Sequence, residues 1–157
     1  MSAVSERPAA RRPIADEATP RAVFEVAMSE HSQELGDFFL AKLLGFEVSY
    51  TDDSCVVDFT AHEYLQNPRG LLHGGVLATA MDISMGHLVQ RIGGPGATVT
   101  LEAHYHRAVS SGRVRCEGKI VHRGGSLWFL NTRVTAENGE LVASGTCTVA
   151  MARKAGA

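Results

Sequence analysis

NPRGLLHGGVLATAMD, residues 67–82, passes from loop formers through His73-Gly74-Gly75 into an apolar repeat that ends on a carboxylate. Leu77, Ala78, Met81, Met85, Leu88, Val89 and Ile92 recur at the 3.6-residue period, which predicts one long helix over 75–92 packed on a core. Asn67, Pro68 and Gly70 bring the chain in irregularly. Asp82 falls at the margin of the apolar arc, between Ala78 and Gly86, whose small size leaves space beside it. A carboxylate is costly to bury unless it is paired or used. Asp82 is therefore either a margin residue reaching water or a working group. The first N–H groups of a helix lack internal partners and lie at the positive end of its dipole. Glycines there leave those donors open to a phosphate or to the oxyanion of an attacked carbonyl. Read alone, the pair Gly74-Gly75 fits an ordinary tight turn equally well.

Working outward, 46–50 and 55–61 alternate apolar and polar residues around the turn Thr51-Asp52-Asp53-Ser54, as strands do. Gly93-Gly94-Pro95-Gly96 ends the helix. Strand 97–106 follows, with Val99, Leu101, Ala103 and Tyr105 on one face and Thr98, Thr100, Glu102, His104 and His106 on the other. Strands 113–122, 127–135 and 141–151 complete the set, the last two joined at Glu137-Asn138-Gly139-Glu140, a hairpin signal. No second helix interrupts these four strands, so hairpins are expected rather than crossover units. Upstream, 33–44 reads as an amphipathic helix stopped by Gly45, and the first 22 residues, rich in Pro, Ala and Arg, read as a mobile tail.

The 157 residues carry 45% apolar side chains and a net charge of -2, which describes one soluble domain with no field to attract nucleic acid. No apolar run is long enough for a membrane span or a signal peptide, and acids among the N-terminal arginines argue against a transit peptide. Cys55, Cys116 and Cys147 all fall in strands and read as reduced core thiols of a cytoplasmic protein. His104 and His106 share a strand face at a metal-compatible spacing, but no third ligand accompanies them, so no metal is expected.

Eight residues separate Gly74 from Asp82, about 12 Å along a helix. That is too far for a water held by Asp82 to attack a carbonyl held at Gly74. Two copies of the helix related by a two-fold axis would bring Gly74 of one near Asp82 of the other, so a dimer with two composite sites is expected.

The order Asn67, Gly70, His73-Gly74-Gly75, Asp82 resembles the signature of hotdog-fold acyl-CoA thioesterases, in the branch of phenylacetic-acid-degradation thioesterases and the mammalian thioesterase-superfamily proteins. The similarity spans residues 38–151. It implies an α+β hotdog fold, an antiparallel sheet of five to six strands wrapped around one long central helix. The domain would cover 23–153, after the 1–22 tail. It implies hydrolysis of acyl-CoA to free acid and coenzyme A. Asp82 would act as general base or nucleophile, the Gly74 N–H as oxyanion hole, and Asn67 and His73 would contact the thioester or its leaving group. Thr98 would orient the attacking water, and Gly75, Arg123, Gly124 and Ser126 would meet substrate or coenzyme A, although 122–126 also reads as a plain hairpin turn and Arg69, Arg91 and Arg107 are rivals to Arg123 for the phosphates. Coenzyme A would arrive as part of the substrate, with no separate cofactor. The assembly would be a homodimer or a dimer of dimers, and the acyl group would enter a tunnel lined by residues such as Met81, Met85, Phe46 or Phe59. Two rival readings are a hotdog hydratase or dehydratase pairing His73 with Asp82, and a non-catalytic acyl-CoA-binding protein.

Overall fold

The computed structural model describes residues 14–152. Helices α1 (Ala18–Glu30) and α2 (Phe39–Leu43) precede strands β1 (Glu47–Tyr50) and β2 (Ser54–Thr60), a single 3-10 turn (Glu63–Leu65) and the long helix α3 (Gly74–Gly93). Strands β3 (Gly96–Tyr105), β4 (Arg113–Arg123), β5 (Leu127–Ala136) and β6 (Leu141–Met151) follow. The six strands form one antiparallel sheet in the order β1-β2-β4-β5-β6-β3, and α3 lies against β2 through β6. This is the sheet-wrapped helix expected of a hotdog fold.

The apolar arc of α3 does what its period predicts. Leu77, Met81, Met85, Leu88 and Val89 are buried, joined by Ala80, Ile83 and Ser84. Each large side chain so buried contributes about 1.5–3 kcal/mol relative to exposure. The helix approaches β4 closely at Gly118, where a Cβ would stand 2.7 Å from the Ser84 carbonyl oxygen. Polar groups trapped in this contact are satisfied: Ser84 Oγ donates to the Met81 carbonyl at 2.9 Å, and Thr132 Oγ1 donates to that of Glu117 at 3.1 Å. Cys55, Cys116 and Cys147 are free and buried, and burial pushes the Cys55 thiol up to about 12.

Several expectations are corrected. The link from β3 to β4 is not a hairpin: β3 pairs with β6 at one edge, whereas β4 lies between β2 and β5. Residues 106–112 carry the chain across, tied down by the Leu72 N–H to Val109 and the Ala61 N–H to Gly112, at 2.7 and 2.9 Å. Alternation tells which face a side chain takes and is silent about which strand lies alongside. The 33–44 helix shrinks to α2, because Gly36 adopts a φ of +87° and the Asp37 N–H closes a turn on Glu34. Helix α1 was not foreseen. It begins at Ala18, inside the stretch assigned to a tail, and buries Ala27 while Phe24 meets Phe39 edge-on at 6.3 Å. The rest of that tail, residues 1–13, lies outside the described residues. The 136–140 connection is a hairpin as expected, closed by the Ala136 N–H on the Glu140 carbonyl at 3.0 Å.

Candidate active site

Helix α3 starts on His73, whose Nδ1 accepts the Gly75 N–H at 2.9 Å. An accepting Nδ1 is unprotonated, so the neutral ring carries its hydrogen on Nε2, free to donate. The Gly74 carbonyl accepts from Tyr105 Oη at 3.0 Å. The Gly74–Gly75 peptide is thus held at both its oxygen and its nitrogen. The N–H of Gly74 itself has no acceptor among the described residues. Gly74 lines a groove of about 290 Å³ with Asn67, Tyr105, His106 and Arg107. Asn67 Oδ1 is spent on its own loop, accepting the Arg69 N–H at 2.8 Å, so only its amide nitrogen is left for a ligand.

Asp82 stands two turns further along α3 and is half-buried rather than enclosed. Its Oδ1 accepts from Thr98 Oγ1 at 2.9 Å, and it forms no ion pair among the described residues. Space lies beside it: a Cβ on Gly86 would meet nothing within 4 Å. The contact with Thr98 corrects the simple alternation, which put Thr98 on the same face as Thr100. Thr98 pairs with Val149 and Thr100 with Thr148, so Val99 is an extra residue, a β-bulge that brings Thr98 into phase with Leu101. Nearby, burial holds the His87 imidazole below its usual pKa, against the pull of the Asp82 charge. Its Nδ1 lies 3.4 Å from Tyr50 Oη, and Arg91 sits 4.7 Å over the Tyr50 ring.

The remaining candidates are elsewhere. Arg123 lies over Trp128 at 5.3 Å, the Gly124 N–H donates to Leu127 at 3.0 Å, and the Ser126 carbonyl accepts from Met151 at 2.9 Å. Trp128 packs on Gly93, at the far end of the 20-residue helix and so about 30 Å from Gly74. Within one chain, then, the structure joins Asn67, His73, Gly74 and Gly75, separately joins Asp82 with Thr98, and leaves the Arg123–Ser126 turn remote from the first group. His104 pairs with Glu102 at 3.3 Å and His106 with Ser144 at 2.9 Å, and no cluster suited to a metal occurs among the described residues. Sequence reading missed Tyr105 and His106 as neighbours of Gly74, and it named Arg107 only as a rival to Arg123 for the coenzyme A phosphates. Alternation showed only that Tyr105 shares a face with Leu101 and Ala103, and nothing local shows that 106–107 turn back along the start of α3.

Residues 69–143 match the family model of the thioesterase superfamily. This chain carries a hotdog-fold domain that is similar to the thioesterase superfamily. The match spans the His73–Gly75 turn, Asp82, Thr98 and the Arg123–Ser126 turn, with Asn67 just outside it. Among solved structures, the domain is similar to a conserved protein of Pseudomonas aeruginosa at 29% identity, over 72% of this chain and 93% of that one, with a TM-score of 0.68. A protein from the thioesterase superfamily matches at 28% identity over 83% and 99% of the two chains, TM-score 0.69. A phenylacetic acid degradation-related protein of Ralstonia eutropha JMP134 matches at 25% over 71% and 89%, TM-score 0.66. No helix among the described residues is long and apolar enough to cross a membrane.

Proposed function

We propose that this domain hydrolyses acyl-CoA thioesters in sites shared between two copies of the chain. The observation that carries this reading is the position of both half-sites along one edge strand. Strand β3 is a sheet edge; Thr98, near its start, holds Asp82, and Tyr105, at its end, holds Gly74. Antiparallel pairing of two such edges about a two-fold axis sets Thr98 of one copy opposite Tyr105 of the other. Each Asp82 then approaches the other copy's Gly74. The edge invites this, being ten residues long with Val99 58% and Tyr105 53% exposed.

In such a site the thioester carbonyl oxygen takes the free Gly74 N–H, and the helix dipole favours the charge that develops on it. The Thr98 hydroxyl spends its hydrogen on Asp82 Oδ1, which leaves Oδ2 and the threonine lone pairs to hold a water between them. That arrangement favours the general-base route over direct attack. Asp82 takes a proton as the water oxygen bonds to the carbonyl carbon, the C–S bond breaks, and the departing thiolate recovers the proton. His73 Nε2–H and the Asn67 amide are placed to donate to the thioester or the leaving sulfur. The Arg123–Ser126 turn, near the start of β3, would in the pair lie toward the partner's Gly74 groove and could meet its coenzyme A.

Mixing two dead variants tests the shared site. Asp82→Asn and Gly74→Val are each expected to lose turnover while staying folded. Refolded together in equal amounts, they should recover about a quarter of wild-type activity, because half the dimers carry one intact site of two. No recovery would refute the composite site. Release of free thiol, followed with a thiol reagent, separates hydrolysis from hydratase chemistry on the same substrates.

A further inference from the structure

Glu102 and His104 alternate along β3 with Leu101 and Ala103, which pack on the core, so they occupy the outer face of the edge strand. Their side chains are 70% and 59% exposed, and His104 Nε2 stands 3.3 Å from Glu102 Oε1. Across β6 they face Thr146 and Ser144, so hydroxyls rather than cations flank them there. When two copies pair with Thr98 opposite Tyr105, Val99 stays out of register as it does against β6. Counting inward then sets Thr100 opposite His104, Leu101 opposite Ala103, and Glu102 opposite the other copy's Glu102 on the two-fold axis. We propose that the paired chains bind one zinc-class divalent ion at this point, held by Glu102 of both copies and His104 of one, with water as the fourth ligand. The proposal rests on the edge pairing and goes beyond the hydrolase reading, since the ion is structural and tightens the dimer.

Three arguments meet here. One chain already holds two of the three protein ligands at the right separation: ligand atoms about 2.0–2.1 Å from a tetrahedral zinc stand about 3.4 Å apart, against 3.3 Å between His104 Nε2 and Glu102 Oε1. Directly opposed residues of an antiparallel pair have Cβ atoms about 4.5–5.5 Å apart, and like charges placed so destabilise the pairing. A cation between the two Glu102 carboxylates removes that repulsion. Imidazole with carboxylate suits zinc, whereas magnesium and calcium take oxygen ligands. The two His104 side chains lie four residues apart along the paired strands, about 14 Å at about 3.4 Å per residue, so one ion takes only one of them. Asp82 and Thr98 meet on the opposite face of the sheet, and the ion has no part in the chemistry there.

Equilibrium dialysis of the untagged protein against zinc, combined with sedimentation equilibrium, tests this. One ion should bind per two chains, and zinc saturation should lower the dimer dissociation constant at least tenfold, while magnesium leaves it unchanged. Glu102→Gln should abolish zinc binding and, with the opposed charges gone, tighten the metal-free dimer by up to about fivefold. His104→Ala should weaken zinc binding at least tenfold, whereas His122→Ala, which removes an exposed histidine of β4, should not. A dimer that binds no zinc, or zinc bound equally by Glu102→Gln, overturns the metal site and leaves the edge pairing standing. A chain that stays monomeric at every zinc concentration overturns both. If zinc binds and tightens the dimer but no acyl-CoA is cleaved, the hydrolase reading fails and the metal site stands.

Discussion

Thr98 reaches Asp82 only because Val99 is an extra residue in β3: the hydroxyl donates to Oδ1 at 2.9 Å from a side chain that regular alternation would place on the outer face. A hydrogen bond to a charged group is worth about 1.5–3 kcal/mol. Thr98→Val keeps the shape and should lower kcat about 10- to 100-fold, with KM little changed, whereas Thr98→Ser should stay within a few-fold of wild type. Steady-state kinetics on one acyl-CoA checks both; equal losses in the two variants would mean the methyl, not the hydroxyl, matters.

Tyr105 holds the Gly74 carbonyl at 3.0 Å while His73 holds the next N–H, so the peptide bearing the helix start is clamped at both ends. Tyr105→Phe removes one clamp without removing the ring that packs near Gly74. A neutral hydrogen bond contributes about 1 kcal/mol, so kcat should fall about fivefold with only a small change in melting temperature. An unchanged kcat would show that the helix start is rigid without Tyr105.

Burial depresses the pKa of His87 below 6.5, although the Asp82 charge pulls the other way. Above that value the ring is neutral in both folded and unfolded chains and the pH effect vanishes. As pH falls through 6.5 the unfolded chain takes the proton first, so stability is lost progressively until the folded ring also titrates. His87→Gln should flatten the part of the stability curve just below pH 6.5, as read by urea unfolding at a series of pH values. An unaltered slope would assign that loss to other groups.

Gly118 lets β4 meet the α3 backbone, and a methyl there would stand 2.7 Å from the Ser84 carbonyl. The neighbour is backbone, so it cannot swing aside. Gly118→Ala should cost about 1–3 kcal/mol, a fall of several degrees in melting temperature by calorimetry. The same change at Gly86, where nothing lies within 4 Å, should leave the monomer fold's stability within about 1 kcal/mol or raise it.

The long helix, the six strands and the placing of His73-Gly74-Gly75 at the start of that helix with Asp82 two turns on were legible in the chain because each rests on local periodicity and spacing. Burial of one helix stripe, alternation along a strand and the open donors of a helix start are properties of neighbouring residues. The spacing along α3 even showed that Gly74 and Asp82 stand too far apart to share a substrate within one chain. Other features needed the fold. The strand order put β3 at an edge, where it touches both Asp82 and Gly74, a bulge turned Thr98 toward Asp82, and the 106–112 crossing brought Arg107 to Gly74. Helix α1 and the groove beside α2 belong to the same class, since Gly36 breaks the apparent helix and only packing shows where α2 comes to rest. Periodicity records how much of each side chain is hidden from water; it does not record which distant segment does the hiding, and in this protein those distant contacts place the groups around the candidate site.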